Sequence, residues 1–136
     1  MKLSYEIQPQ NLDGLMGEII LAKADDKPAG RIGYVQHNYD EYKFNGLKNA
    51  RLKLLDSFCD VEVDGPMRQE GVDLFLFEIL FEQLWIKNFG ALIITQPDID
   101  RKFYDKVLGM LRDCGKLTSW YRSYNGDLGN VYVAKI

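Results

Sequence analysis

The stretch DGPMRQEGVD, residues 64–73, joins two segments whose hydrophobic patterns differ. In the segment before it, residues 53–64, apolar and acidic side chains alternate. Odd positions carry Leu55, Cys59, Val61 and Val63, and even positions carry Asp56, Asp60, Glu62 and Asp64. Because successive side chains of a strand point to opposite faces, this alternation predicts a strand with one buried face.

The segment after the stretch, residues 72–89, is an apolar run with a few charged residues. It is too long for an ordinary strand and predicts a helix. Gly90 follows at the place where a glycine commonly ends a helix. Residues 91–96, ALIITQ, are almost wholly apolar, as is typical of a central strand. A strand, a helix and a strand in succession predict two parallel strands joined by a right-handed crossover.

The N-terminal third predicts three further strands. LSYEIQ places Leu3, Tyr5 and Ile7 on one face, and PQNLDG after it is rich in turn residues. EIILAKA and RIGYVQ predict a hairpin around the polar turn DDKPAG. Residues 38–51 have a mixed pattern that fits either a long loop or a loop with a short helix.

The C-terminal third predicts a helix and a hairpin. Asp98 or Asp100 can cap a helix in which apolar residues recur at helical spacing; these are Phe103, Val107, Leu108 and Leu111. KLTSWYRSY, the turn NGDLG and VYVAKI then predict the hairpin. The expected fold is a single domain over residues 1–136 of the α/β (α+β) class, with a mixed, mostly antiparallel sheet flanked by helices.

The composition and charge of the chain argue against several classes of function. The net charge is −3, so no basic field favours nucleic acid or an anionic membrane. The N-terminus MKLSYEIQPQ has polar residues where an export signal needs an apolar run, and we expect a cytoplasmic protein. Cys59, Cys114 and the single histidine, His37, lack metal-ligand spacing, so no metal site is expected.

The segment from residue 61 to residue 96, together with RKFYDKVLG after it, resembles the central motif of the GCN5-related N-acetyltransferases (GNAT). In that family a strand ends in a turn of pattern Gln/Arg-x-x-Gly-x-Gly/Ala before a helix, a strand and a second helix that bears a tyrosine. The six turn positions are filled here by Arg68, Gln69, Glu70, Gly71, Val72 and Asp73. Tyr104, in FYDK, matches the tyrosine that is the family's usual general acid.

The resemblance implies a site for acetyl-CoA. Residues 68–73 would hold the pyrophosphate, because N–H groups at the start of a helix favour anions and a glycine permits close approach. The backbone around Val61 and Val63 would pair with the pantetheine arm, and Tyr104 would protonate the departing thiolate.

The sequence departs from the family pattern in two places. Asp73 stands where the family has glycine or alanine, and Glu70 adds a second carboxylate, so both charges would oppose a diphosphate. The same two acids also suit the positive end of a helix dipole. In addition, only QNLDGLMG occupies the region where family members have one or two helices between the first strands, so the N-terminal region is shortened.

Acetyl transfer to an amine also needs a base. Glu62 is the best candidate and Asp60 the second, because both belong to the acidic face of the predicted strand, which would also suit a cationic acceptor. A solvated strand face is the alternative explanation of these acids.

The predicted helix 72–89 is apolar around most of its circumference, which indicates burial on a second side by the chain itself, by another copy or by a protein partner. Trp85 is a candidate interface anchor. The resemblance implies an acyl-CoA-dependent N-acetyltransferase that acts on an amine by direct transfer. The alternative is a non-catalytic binding or assembly protein of the same fold that has lost acetyl-CoA binding.

Overall fold

The computed structural model describes residues 2–12, 14–36, 52–55, 71–95, 101–126 and 129–136. Within these ranges the chain forms two helices, α1 (Val72–Ile86) and α2 (Arg101–Asp113). It also forms seven strands: β1 (Leu3–Leu12), β2 (Leu15–Ala24), β3 (Lys27–Gln36), β4 (Leu52–Leu55), β5 (Ala91–Ile94), β6 (Ser119–Asn125) and β7 (Gly129–Lys135).

The strands form one sheet in the order β1-β2-β3-β4-β5-β7-β6. Among the described strands, β4 and β5 alone pair in parallel, from Leu52 opposite Ala91 to Leu55 opposite Ile94. The prediction of a parallel strand–helix–strand unit is thus confirmed. The part of the predicted strand from residue 56 to residue 64 lies outside the described residues.

The first strand is longer than the sequence pattern predicts. β1 continues through Pro9 to Leu12, pairs with β2 along its whole length and reverses at Gly14, whose φ is 85°. The prediction of a turn over PQNLDG is therefore wrong in its first four residues, which belong to β1. Proline is compatible with this strand because β1 is the outer strand of the sheet, where one side of the backbone needs no ladder partner.

The hairpin of β2 and β3 is confirmed, with a tighter turn than predicted. Asp25 and Asp26 alone form the turn, with φ values of 50° and 66°, and Lys27 already pairs with Ala24. Two successive residues with positive φ suit the right-handed twist of a hairpin, and aspartate tolerates this conformation better than most side chains. The last four residues of the predicted turn therefore belong to β3.

Helix α1 ends at Ile86, and the left-handed residue that closes it is Asn88 rather than the predicted Gly90. Asn88 has a φ of 60°, its N–H donates to the carbonyl of Trp85 (3.0 Å), and the N–H of Phe89 donates to the carbonyl of Leu84 (2.9 Å). These two bonds form the pattern that commonly closes a helix around a left-handed residue. Asparagine can replace glycine there because its short side chain tolerates positive φ.

Both helices contribute to one hydrophobic core with one face of the sheet. α1 packs over β2 and β3, and Phe77 of α1 meets the rings of Phe103 and Tyr104 of α2 at 5.8 and 6.0 Å. Phe75 also contacts Tyr5 of β1 at 6.1 Å. The apolar circumference of α1 is thus explained for most of its length by contacts within the chain.

The C-terminal end of α1 is the exception. Trp85 and Ile86 are 71% and 59% exposed, although the helix residues that precede them are mostly buried.

The opposite face of the sheet has a second, smaller cluster that includes no residue of α1 or α2. Its fully buried members are Val35, Ala91, Ile93, Val131 and Val133. Since β5 contributes buried side chains to both faces, it is a central strand, as the continuous apolar run ALIITQ predicts.

Candidate functional site

One row of residues crosses the sheet at the last described pair of the parallel strands. Strand pairing places Glu18, Tyr34, Leu55, Ile94, Tyr132 and Arg122 opposite one another in succession. Directly paired residues share a face, so Glu18, Tyr34 and Tyr132 all lie on the face that α1 and α2 cover. We call this set of six residues the central row.

The strands on either side extend beyond the central row. β3 continues over residues 27–33 and β7 over residues 129–131, whereas the described parts of β4 and β5 end at Leu55 and Ile94. The two parallel strands both run toward the central row, and open α/β sheets commonly bind ligands beyond the carboxyl ends of such strands.

Three of the residues predicted to hold a cofactor, Gly71, Val72 and Asp73, lie at the start of α1. Gly71 has a φ of 81°, a conformation that only glycine adopts at little cost, and its carbonyl accepts from the N–H of Phe75 (3.0 Å). The N–H groups ahead of Phe75 belong to the first turn, where helix geometry provides no internal acceptor. Val72 is fully buried, and Asp73 is half-buried. The backbone at the start of α1 thus has the geometry that suits an anionic ligand. The first turn also carries a carboxylate, that of Asp73.

Tyr104 lies in an aromatic cluster beside the central row. Its ring centroid is 5.5 Å from that of Tyr132, 5.7 Å from that of Phe103 and 6.0 Å from that of Phe77. The side chain is 0% exposed. A ligand could therefore contact its hydroxyl only after the surrounding side chains move.

Tyr132 connects the central row with the first turn of α2. Its hydroxyl donates to Oδ1 of Asp105 at 2.7 Å and lies 3.4 Å from the carbonyl oxygen of Arg101. Burial and, after it, the hydrogen bond and charge of Asp105 together raise the pKa of Tyr132 from 10.0 to about 12. The hydroxyl therefore remains a donor at neutral pH.

A second tyrosine–carboxylate pair lies on the other side of the parallel strands. The hydroxyl of Tyr34 donates to Oε1 of Glu18, and Oε2 of Glu18 lies 3.1 Å from Nζ of Lys87 at the end of α1. Burial raises the pKa of Tyr34 well above its usual value, and Glu18 adds to the effect. The backbone of Tyr34 is also tied to β1, because Nε2 of Gln10 donates to its carbonyl at 3.2 Å.

Most of the predicted site residues lie outside the described part of the chain. They are Asp60 and Glu62, the base candidates, Val61 and Val63, the pantetheine candidates, and Arg68, Gln69 and Glu70, the first half of the turn. Their roles stay predictions. The structure brings Gly71, Val72 and Asp73 to one end of α1 and Tyr104 against the same helix through Phe77.

Sequence reasoning missed both tyrosine–carboxylate pairs. One signal was present, because Tyr34 and Tyr132 lie in apolar strands, and a buried tyrosine hydroxyl usually has a hydrogen-bond partner. The identity of the partner could not be found in this way, because Glu18 and Asp105 belong to other elements, 16 and 27 residues away.

The described residues include neither a metal-binding cluster nor a membrane-spanning helix. No group of three or more histidine, cysteine, aspartate or glutamate side chains could hold a metal ion there. Neither described helix is long and apolar enough to span a bilayer.

The fold is similar to that of a protein from Desulfovibrio desulfuricans that is described as a candidate acetyltransferase of the GNAT family. The TM-score is 0.51 at 12% sequence identity, and the match covers 88% of this chain. This chain spans 66% of the length of that protein. No protein-family model matches the sequence, and no curated protein matches it either.

The likeness concerns the fold, because the identity is too low to transfer chemistry. The chain thus has a mixed α+β, GNAT-like fold, which agrees with the expectation from residues 61–96.

Proposed function

We propose that this chain is an acyl-CoA-dependent N-acetyltransferase that transfers an acetyl group directly to an amine. The main support is the position of Tyr104 relative to the start of α1. Phe77, which Tyr104 contacts, lies five residues after Val72 and therefore about 7.5 Å along the helix axis. A ligand anchored at the turn of Gly71 could thus extend toward Tyr104.

In the proposed reaction the amine nitrogen attacks the thioester carbonyl, the new C–N bond forms, and the C–S bond breaks. Glu62, or Asp60 in its place, accepts the proton of the amine. Tyr104 donates its proton to the departing thiolate. The backbone at residues 68–73 holds the pyrophosphate of acetyl-CoA, and the backbone around Val61 and Val63 pairs with the pantetheine arm.

The second candidate is a non-catalytic binding or assembly protein of the same fold. Asp73 favours it, because a half-buried carboxylate in the first turn of α1 repels a diphosphate more strongly than an exposed one would. The exposed Trp85 and Ile86 also favour it, since aromatic and apolar side chains often anchor protein contacts. A second copy of this chain is one candidate for such a contact.

Thermal unfolding with and without acetyl-CoA, at about 1 mM and in excess of the protein, separates the two candidates. A ligand at about one hundred times its Kd stabilises the native state by roughly 2.7 kcal/mol. For a chain of this size the Tm should rise by roughly 8 °C. The N-acetyltransferase proposal requires this increase for the wild type.

Two variants sharpen the result. Asp73→Asn removes the charge from the first turn of α1. Glu78→Gln is the control, because it removes a charge from the same helix more than one turn after its start. If acetyl-CoA raises the Tm of Asp73→Asn but not that of Glu78→Gln or the wild type, the natural site has lost cofactor binding, and the second candidate is supported. No increase in either protein would contradict acetyl-CoA binding altogether.

A further inference from the structure

We propose that Tyr132 is a positioning residue that holds the first turn of α2 against the sheet and thereby sets the location of the Tyr104 hydroxyl. The inference rests on the proposed function for its catalytic consequence. Its structural part can be tested separately.

The hydroxyl of Tyr132 spans the first turn of α2. Its two neighbours, Asp105 at 2.7 Å and the carbonyl of Arg101 at 3.4 Å, are four residues apart and therefore lie on the same side of the helix. The first turn is the part of a helix with the fewest internal hydrogen bonds, so an outside contact there has a large effect on its order. One buried hydroxyl thus links residues 101–105 of α2 to β7.

Tyr104 directly precedes Asp105, so its backbone belongs to the turn that Tyr132 holds. Its ring also packs on the ring of Tyr132 at 5.5 Å with an interplanar angle of 38°, and it meets Phe77 edge-on at 89°. The ring contacts would persist if Tyr132 were phenylalanine, whereas the tie to Asp105 would be lost. Removing the hydroxyl therefore isolates the positional effect.

Tyr132 is unsuited to replace Tyr104 as the acid. Burial and the bond to Asp105 raise the pKa of Tyr132, so it gives up its proton less readily than an ordinary tyrosine. Its hydrogen is also directed to Asp105 rather than to a ligand. The contribution of Tyr132 to transfer must then pass through Tyr104.

The first experiment compares turnover of Tyr132→Phe with that of Tyr34→Phe. Both substitutions remove a buried tyrosine hydroxyl that donates to a carboxylate in the central row region, but only Tyr132 contacts Tyr104. A small misplacement of a reacting group can reduce rates strongly, so kcat should fall about tenfold or more in Tyr132→Phe. KM for acetyl-CoA and both constants of Tyr34→Phe should stay within about twofold of the wild type.

The double variant Tyr104→Phe/Tyr132→Phe tests whether the effect passes through Tyr104. If it does, Tyr132→Phe lowers kcat no further once Tyr104 has lost its hydroxyl, because residues that act as a unit are not additive. An equal loss in both backgrounds would overturn the inference, since a general weakening of the fold predicts that result. Equal losses in Tyr132→Phe and Tyr34→Phe would also overturn it.

Hydrogen exchange at the amide of Asp105 gives a readout that needs no activity. In a helix this N–H donates to the carbonyl of Arg101, the same turn that Tyr132 contacts. Its exchange should become about tenfold faster in Tyr132→Phe and remain unchanged in Tyr34→Phe. If the wild type shows no turnover, the proposed function fails while faster exchange still supports the positioning role; unchanged exchange overturns that role in every case.

Discussion

The two tyrosine–carboxylate pairs of the central row occupy matching places on either side of the parallel strands and differ in their third partner. Tyr34 and Tyr132 are separated by three strand spacings, or roughly 14 Å. The Tyr34–Glu18 pair adds a cation, Lys87, and joins the end of α1 to β2. The Tyr132–Asp105 pair adds the ring of Tyr104 and joins the start of α2 to β7.

The difference shows how one chemical arrangement can serve two purposes. At Tyr34 the carboxylate keeps a charged partner even without the hydroxyl, so the pair contributes mainly to the docking of α1. The carboxylate of Asp105 depends more strongly on the hydroxyl of Tyr132, and the ring beside Tyr132 is that of Tyr104, the candidate general acid. The surroundings of each pair, rather than the pair itself, decide which one affects the proposed site.

The largest expected effect comes from removing each tyrosine side chain. Tyr132→Ala should lower the free energy of unfolding by about 4–5 kcal/mol, and Tyr34→Ala by about 3 kcal/mol. The first leaves a cavity beside the rings of Tyr104 and Trp120 and deprives Asp105 of its donor, whereas Glu18 keeps Lys87 in the second. Urea unfolding monitored by circular dichroism measures both.

Tyr124→Ala serves as the control, because Tyr124 is 71% exposed and its removal should change stability by less than about 0.5 kcal/mol. A larger loss for Tyr34→Ala than for Tyr132→Ala would contradict the proposed difference between the two pairs.

The second prediction concerns high pH. The pKa of Tyr132 is raised from 10.0 to about 12 in the folded chain. Between these values the unfolded chain releases the proton while the folded chain keeps it, so the stability that this group contributes is complete below pH 10 and is lost as the pH rises toward 12. Tyr34 acts with the same sign, and its pKa is raised further by burial and Glu18.

Equilibrium unfolding between about pH 10 and pH 11.5 measures this slope. In each of the variants Tyr132→Phe and Tyr34→Phe, the free energy of unfolding should fall less steeply with pH than in the wild type. The difference in slope should be at most about 1.4 kcal/mol per pH unit, the effect of one proton. A slope that is the same in Tyr132→Phe as in the wild type would show that the Tyr132 hydroxyl is not held protonated by its surroundings.

The arrangement around residues 72–94 could be predicted from the sequence because its evidence is local. The sequence predicts a strand, a helix and a strand in succession, and crossover geometry then predicts parallel strands, as β4 and β5 are. The hairpin of β2 and β3 was predictable for the same reason, although its turn was placed too broadly. Asp25 and Asp26 adopt positive φ without glycine, and the identity of turn residues alone did not reveal this.

The central row could not be predicted, because it depends on register across six strands. Periodicity shows which face a side chain occupies, as it does for Leu3, Tyr5 and Ile7, but not which residue of a distant element lies opposite. Tyr132 meets Asp105 only because β7 inserts between β5 and β6. The burial of Tyr104 was missed for the same reason, since its neighbours come from α1 and β7 as well as from its own helix.

The smallest expected effect separates the charged partner from the hydroxyl. Lys87 and Glu18 are 41% and 19% exposed at a distance of 3.1 Å, so Lys87→Met should cost about 0.5 kcal/mol and less in 1 M salt. Lys23→Met is the matched control, because Lys23 pairs with Glu6 at 3.7 Å on a more exposed part of the sheet, 42% and 50% exposed, and should cost still less. In a Glu18→Gln background the effect of Lys87→Met should disappear, since its partner has lost the charge. A salt-independent loss of stability above about 2 kcal/mol in Lys87→Met would mean that Lys87 acts through packing rather than through its charge. The Tyr34–Glu18 pair would then resemble the Tyr132–Asp105 pair more closely than proposed.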